Sequence, residues 1–93
     1  MPVSYNLSQN YPNPFNPTTK IDYELPYDGQ VSIILYDISG REVLSLLNEV
    51  KTAGYYTVQF NGSNLASGVY FYRLVVSHSN PNFIMAKKMT VIK

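Results

Sequence analysis

The sequence predicts an all-β fold: a single antiparallel β-sandwich of about seven strands. Three observations carry that expectation. Strand-favouring residues are abundant, with nine tyrosines among 93 residues and valine and isoleucine filling the apolar runs. Apolar and polar residues alternate with period two along several of those runs. Gly, Asn, Ser and Pro clusters separate the runs at the spacing of a sandwich. Hydrophobic residues make up 45% and charged residues 14%, which suits a folded chain better than a disordered one. The length fits one domain with a small core.

The first clear run is Thr18 to Leu25. Ile21, Tyr23 and Leu25 alternate with Lys20, Asp22 and Glu24, so one face is apolar and the other charged. Asp28-Gly29 supplies a turn. Gln30 to Asp37 follows, with Val31, Ile33 and Leu35 on one face and Ile34 and Tyr36 on the other. Being apolar on both faces, it is expected at the centre of a sheet. Ser39-Gly40 turns the chain. Arg41 to Val50 is ambiguous, because Val43, Leu46, Leu47 and Val50 have helical spacing. The segment is short and lies between strands, which favours a strand. Gly54 opens the next run, with Tyr56, Val58 and Phe60 on one face and Tyr55, Thr57, Gln59 and Asn61 on the other. Asn61 to Gly68 reads as a polar crossover. Val69 to Ser77 is the strongest strand, His78 to Asn82 is a loop, and Phe83 to Lys93 is the last strand.

The segment Gly68-Val69-Tyr70-Phe71-Tyr72 narrows the sandwich type to immunoglobulin-like. In that fold a tyrosine near the start of strand F bonds back to the preceding loop, two residues before a core cysteine. Tyr70 matches the corner tyrosine and Tyr72 the cysteine position. The inward face is then Tyr70, Tyr72, Leu74 and Val76, with Arg73 outward; a slip of one residue would exchange the two sets. Residues 1–17 form a proline-rich opening segment and residues 18–93 the sandwich.

Composition excludes several kinds of chemistry. There is no cysteine, so disulfide scaffolds, cysteine zinc sites and thiol nucleophiles are out. The single histidine, His78, rules out sites built on two histidines and reads as a solvated loop side chain. A net charge of +1 gives no field for collecting nucleic acid. No apolar run approaches the ~18 residues of a membrane span. No signal peptide opens the sequence. The carboxylates are Asp22, Glu24, Asp28, Asp37, Glu42 and Glu49. Asp22 and Glu24 share a strand face, the usual pattern of a solvated surface, and no cleft is marked between carboxylates. Asp37 with Ser39 lacks the oxygen ligands of a calcium site. The serines lie outside any nucleophile motif. No catalytic, cofactor or metal site is expected. Asn6-Leu7-Ser8 and Asn61-Gly62-Ser63 match the N-glycosylation triplet, which carries little weight alone.

Two segments stand out. Tyr11-Pro12-Asn13-Pro14-Phe15-Asn16-Pro17 holds three prolines at short spacing and reads as extended and stiff. It is either a rigid loop packing Phe15 or Tyr11 over one end of the sandwich, or a recognition epitope; Pro14 and Pro17 fit a weak P-x-x-P pattern. Lys87, Lys88 and Lys93 make the last strand basic. They either protect a sheet edge from aggregation or form a basic strand read by strand addition and charge.

Together these segments resemble a known family. Residues Leu7 to Thr19, Tyr36 to Val43, Asn64 to Leu74 and Lys87 to Lys93 (K-K-M-T-V-I-K) are similar, in order, to the motifs of the type A C-terminal sorting domain of the type IX (Por) secretion system. The core also resembles the immunoglobulin-like domain of flagellar hook-capping proteins. The sorting-domain resemblance implies a position at the extreme C-terminus of large secreted proteins of Bacteroidetes and related phyla. It implies passage through the periplasm, recognition there by type IX translocon components, and export to the cell surface or beyond. The resemblance also implies that a sortase-like peptidase commonly removes the domain from its attached N-terminal cargo, with joining of some cargo to surface lipopolysaccharide. Met1-Pro2 then reads as the start of a piece cut from a longer chain. On this resemblance Lys87, Lys88, Met89 and Lys93 are expected to be read by the receptor. Pro12, Asn13, Pro14, Phe15, Asn16 and Pro17 would set the angle between cargo and domain. Gly40, Arg41, Gly68, Tyr70, Tyr72 and Arg73 are assigned to the fold, with Arg73 outward on a sheet face or in a cross-strand ion pair. A signal of this kind is read and does not act as an enzyme. Two other readings stay open: an accessory or carbohydrate-binding module using tyrosines left outside the core (Tyr5, Tyr11, Tyr27 and Tyr55), and an assembly subunit of the hook-capping type.

Overall fold

The computed structural model describes residues 2–77 and 82–92. The loop residue His78 and the terminal Lys93 therefore lie outside the described residues. Seven strands occur among those described: β1 (Asn6–Leu7), β2 (Thr18–Leu25), β3 (Gly29–Asp37), β4 (Glu42–Lys51), β5 (Gly54–Asn61), β6 (Gly68–Ser77) and β7 (Phe83–Val91). They form two antiparallel sheets, one of order β1-β2-β5 and one of order β4-β3-β6-β7. The result is the expected all-β sandwich. Its unforeseen strand is β1, which the opening segment contributes: Asn6 pairs with Glu24 and Leu7 with Tyr23.

The core lies between the sheets and follows the period-two reading. Ile21, Tyr23 and Leu25 of β2 face Val31, Ile33 and Leu35 of β3 and Tyr70, Tyr72, Leu74 and Val76 of β6, all buried. β3 is indeed central, flanked by β4 and β6. The register of β6 is the one expected, since Tyr70 donates its hydroxyl back to Ala66 O at 2.8 Å, as a corner tyrosine does.

β4 is a strand, and two bulges explain its helical spacing. The register with β3 shifts between Ile33 and Ile34 and again between Leu35 and Tyr36. Leu46 and Val43 are the extra residues, so Leu44 and Leu47 both face inward opposite Leu35 and Ile33 although they are three apart. Bulges also twist an edge strand away from unwanted pairing.

The β3–β4 turn rests on Gly40, whose φ of +89° is costly for residues with a Cβ. Gly40 N donates to Asp37 O at 2.9 Å. Gly68 begins β6 at φ +152°, another backbone state that L side chains rarely adopt.

The proline-rich stretch is bent rather than extended. Residues 12–14 and 16–17 are bends, and the three X-Pro bonds at Pro12, Pro14 and Pro17 are cis. Phe15 alone turns inward and is 2% exposed, with its ring edge-on to Phe60 at 6.0 Å. Of the two aromatics proposed to cover this end, Phe15 does so, while Tyr11 stays 48% exposed. A Cβ at Gly62 would sit 3.0 Å from the Phe15 ring, so the crossover loop is shaped around it. Phe15→Ala is expected to lower unfolding stability by about 3–5 kcal/mol, the usual cost of emptying a buried aromatic site. Urea denaturation, with a lower midpoint at unchanged slope, checks it.

Candidate functional site

The opening segment runs alongside β7 and closes the side of the sandwich where β1 and β7 meet. The closure is made largely of hydrogen bonds. Phe15 N donates to Thr90 O and Ile92 N donates to Phe15 O, each at 3.1 Å, forming a short parallel bridge at Val91. Thr90 N donates to Asn13 Oδ1 at 3.0 Å. Gln9 Nε2 donates to Lys88 O at 2.6 Å. Farther up, the Tyr5 ring stacks on Phe83 with centroids 4.5 Å apart. Tyr5 was expected outside the core; it packs against it instead.

A buried polar cluster anchors the segment from within. Tyr72 donates its hydroxyl to Ser8 O at 2.7 Å and accepts from Asn10 N at 2.8 Å. Asn10 is 2% exposed, and its Nδ2 donates to Thr19 Oγ1 at 3.0 Å. Thr19 Oγ1 in turn donates to Pro12 O at 2.9 Å. Buried polar groups are tolerated only when paired in this way. Burial pushes the Tyr72 hydroxyl up to about 12, against an opposing pull from the Asn10 N–H. Burial, with smaller contributions from Tyr56 and Glu49, does the same to Tyr23.

The remaining proline-stretch residues are exposed, with specific main-chain roles. Pro17 O accepts from Gly62 N at 2.7 Å. Pro14 and Asn16 face solvent.

β7 is an edge strand of the four-stranded sheet, and its residues separate by parity. Phe83, Met85, Lys87, Met89 and Val91 lie on the core side, because Lys87 pairs with Tyr72 and Met89 with Tyr70. Ile84, Ala86 and Lys88 lie on the outer face, Lys88 opposite Phe71. Three of the lysine-motif residues are thus placed differently. Lys88 is exposed, Lys87 is half-buried and inward, and Met89 is fully buried. Met89 belongs to the core and cannot touch a receptor while the domain is folded, which corrects its assignment as a residue read by the receptor. An inward charge on an edge strand is a recognised guard against aggregation.

The other motif residues brace the fold. Asp37 Oδ1 accepts from Ser39 N, Ser39 Oγ and Arg41 N at 2.9, 2.6 and 3.0 Å. The Ser39 hydroxyl, then the Arg41 N–H, hold its carboxyl below the usual range. Arg41 reaches Asp37 Oδ2 at 3.5 Å while remaining largely exposed. Arg73 is outward, and its partner is an aromatic ring rather than a carboxylate: Nη2 donates to the Tyr36 hydroxyl at 2.6 Å with the guanidinium 4.9 Å from the ring centroid. Tyr36, Phe71, Arg73 and Ala86 line a shallow groove of about 370 Å³ beside the β3–β4 turn. Tyr27 and Tyr55 are exposed, as is Tyr11, whose hydroxyl faces Asp22. Among the described residues no group of three or more His, Asp or Glu side chains is assembled for a metal.

The family model for the secretion system C-terminal sorting domain matches residues 9–91, from Gln9 of the closure to the end of β7. The chain belongs to this family. Sorting domains of this family are the C-terminal secretion signal of type IX cargo, so this domain directs an attached protein through the outer-membrane translocon. The family is not catalytic. Membership implies contact with the type IX machinery, a joined cargo, and export to the cell surface or medium. No curated protein and no solved structure matches the chain. No helix among the described residues is long and apolar enough to cross a membrane.

Sequence reasoning missed Gln9, Asn10 and Thr19. Their local signal was slight: polar residues flanking a proline stretch, with partners far along the chain. Two outcomes test the cluster. Tyr72→Phe leaves the buried Asn10 N–H unpaired and is expected to cost about 1–3 kcal/mol in urea denaturation. The raised Tyr23 and Tyr72 values set an alkaline limit. Unfolded tyrosines ionise near pH ~10, while the folded ones hold their protons to about 12. Stability is therefore full below the unfolded value and falls as pH rises between the two. A denaturation series across that window should show the decline, less steep in Tyr72→Phe.

Proposed function

We propose that this sorting domain is read in the periplasm as a folded unit, by a translocon component that takes the edge of β7. It performs no chemistry of its own. A sortase-like peptidase then separates it from the cargo. The observation that carries this reading is the position of β7: an edge strand bearing Lys87 and Lys88, on the same side of the domain as the stacked Tyr5. Lys93, also proposed to be read, lies outside the described residues. Strand addition gives affinity through main-chain bonds and specificity through neighbouring side chains. Pro12 to Pro17 is not the entry that sets the angle between cargo and domain, because the chain has already joined the sheet at Asn6 and Leu7; pinned through Asn13 and Phe15, it braces the β1–β2 connection against β7.

Removing Lys87 to Lys93 would be a poor test, because Met89 and Val91 are core residues. The better test places the domain behind a signal peptide and a fluorescent reporter in a type IX-competent bacterium. Intact domain should send the reporter outside the cell, and a strain without the translocon should retain it in the periplasm. Replacing Lys87 and Lys88 together by alanine should cut external reporter several-fold while leaving the purified domain's melting curve unchanged. Undiminished export by that folded variant would exclude the lysines as residues that are read.

A further inference from the structure

The outer edge of β7 is closed along one half and open along the other. Thr90 turns both its N–H and its C=O away from β6, to Asn13 and Phe15. Ile92 N–H and Lys88 C=O point the same way, to Phe15 and Gln9. The period of two carries that direction back to Ala86 and Ile84. Their N–H and C=O groups therefore face outward too, and no hydrogen bond within the described residues occupies them. Ile84 is 58% exposed and Ala86 is exposed beside it.

The side chains bordering the open half share one charge. Lys87 and Lys88 follow it directly, one toward each face of the sheet. The ion pairs among the described residues are Arg41–Asp37 and Lys51–Glu49, so neither lysine has a carboxylate partner there. Opposite charges directly across adjacent strands attract, and like charges repel.

We infer that the open half of this edge, from Ile84 to Lys88, accepts an extended acidic segment of a partner protein, with carboxylates on successive residues opposite Lys87 and Lys88. The Ile84 and Ala86 main chain supplies the ladder. Ile84 offers an apolar contact on the outer face. Successive carboxylates are required because the two lysines point to opposite faces of the sheet, so a partner with acids only at alternate positions would satisfy one of them. The closed half begins at the Lys88 carbonyl, held by Gln9, so the ladder ends at Ala86 and the register is fixed. This inference rests on the reading that the translocon takes the β7 edge, and it adds the partner's chemistry and the register.

The test is the same export assay with three variants, each first shown by circular dichroism to melt like the parent. Ala86→Pro removes an outward N–H and puts ring carbons in the path of an added strand. Proline is tolerated on edge strands where the N–H faces solvent, so the fold should survive. The other two replace Lys87 and Lys88 together, by glutamine or by glutamate. The expected result is loss of export with Ala86→Pro, partial export with glutamine, and export several-fold lower again with glutamate. Loss with Ala86→Pro but equal export by the glutamine and glutamate variants would overturn the acidic partner and leave edge reading standing. Parent-level export by Ala86→Pro would overturn edge reading and this inference together.

Discussion

Two hydrogen bonds between Phe15 and the end of β7 hold the rest of the arrangement in place. A two-sheet sandwich has edges that local alternation does not protect. One such side lies between β1 and β7. Phe15 bridges there by giving its N–H to Thr90 and taking that of Ile92, while its ring fills the end of the core against Phe60. One residue thus joins main-chain satisfaction to apolar burial. The Tyr72 hydroxyl is the matching anchor from inside, reaching Ser8 and Asn10 across more than sixty residues of sequence.

This closure also gives the edge its polarity. Where the opening segment lies against β7, the strand's outward groups are occupied; where it has moved off toward β1, they are not. On the proposed reading, the feature that is read exists only in the folded domain. A half-open edge is such a feature, because it depends on residues from both ends of the chain. On the same reading, the lysines that discourage indiscriminate pairing provide charge for a selective one.

Much of this was legible in the sequence, and the limits have physical causes. β2, β3 and β6 were readable because one face of each is buried and the pleat imposes strict alternation. The Tyr70 corner was readable from its offset to Gly68 and Tyr72. β4 was ambiguous because its two bulges break the period at Val43 and Leu46. β1, only two residues long, carries no period at all. In β7 the alternation Met85, Lys87, Met89, Val91 was present in the sequence. The adjacent Lys87 and Lys88, one on each face, interrupt that alternation and mask the parity that makes Met89 a core residue. The partners of Gln9, Asn13 and Phe15 lie at the other end of the chain, where no local pattern reveals them. Family membership followed from several weak motifs in the right order, none of which identifies a contact surface.

The outward edge of β7 has one closed and one open half. Native-state amide hydrogen exchange, read residue by residue on the isolated domain, measures this directly. Slow exchange at Phe15, Thr90 and Ile92, with fast exchange at Ile84 and Ala86, is the predicted pattern. Equal protection along the whole strand, or fast exchange at Thr90 and Ile92, would contradict it.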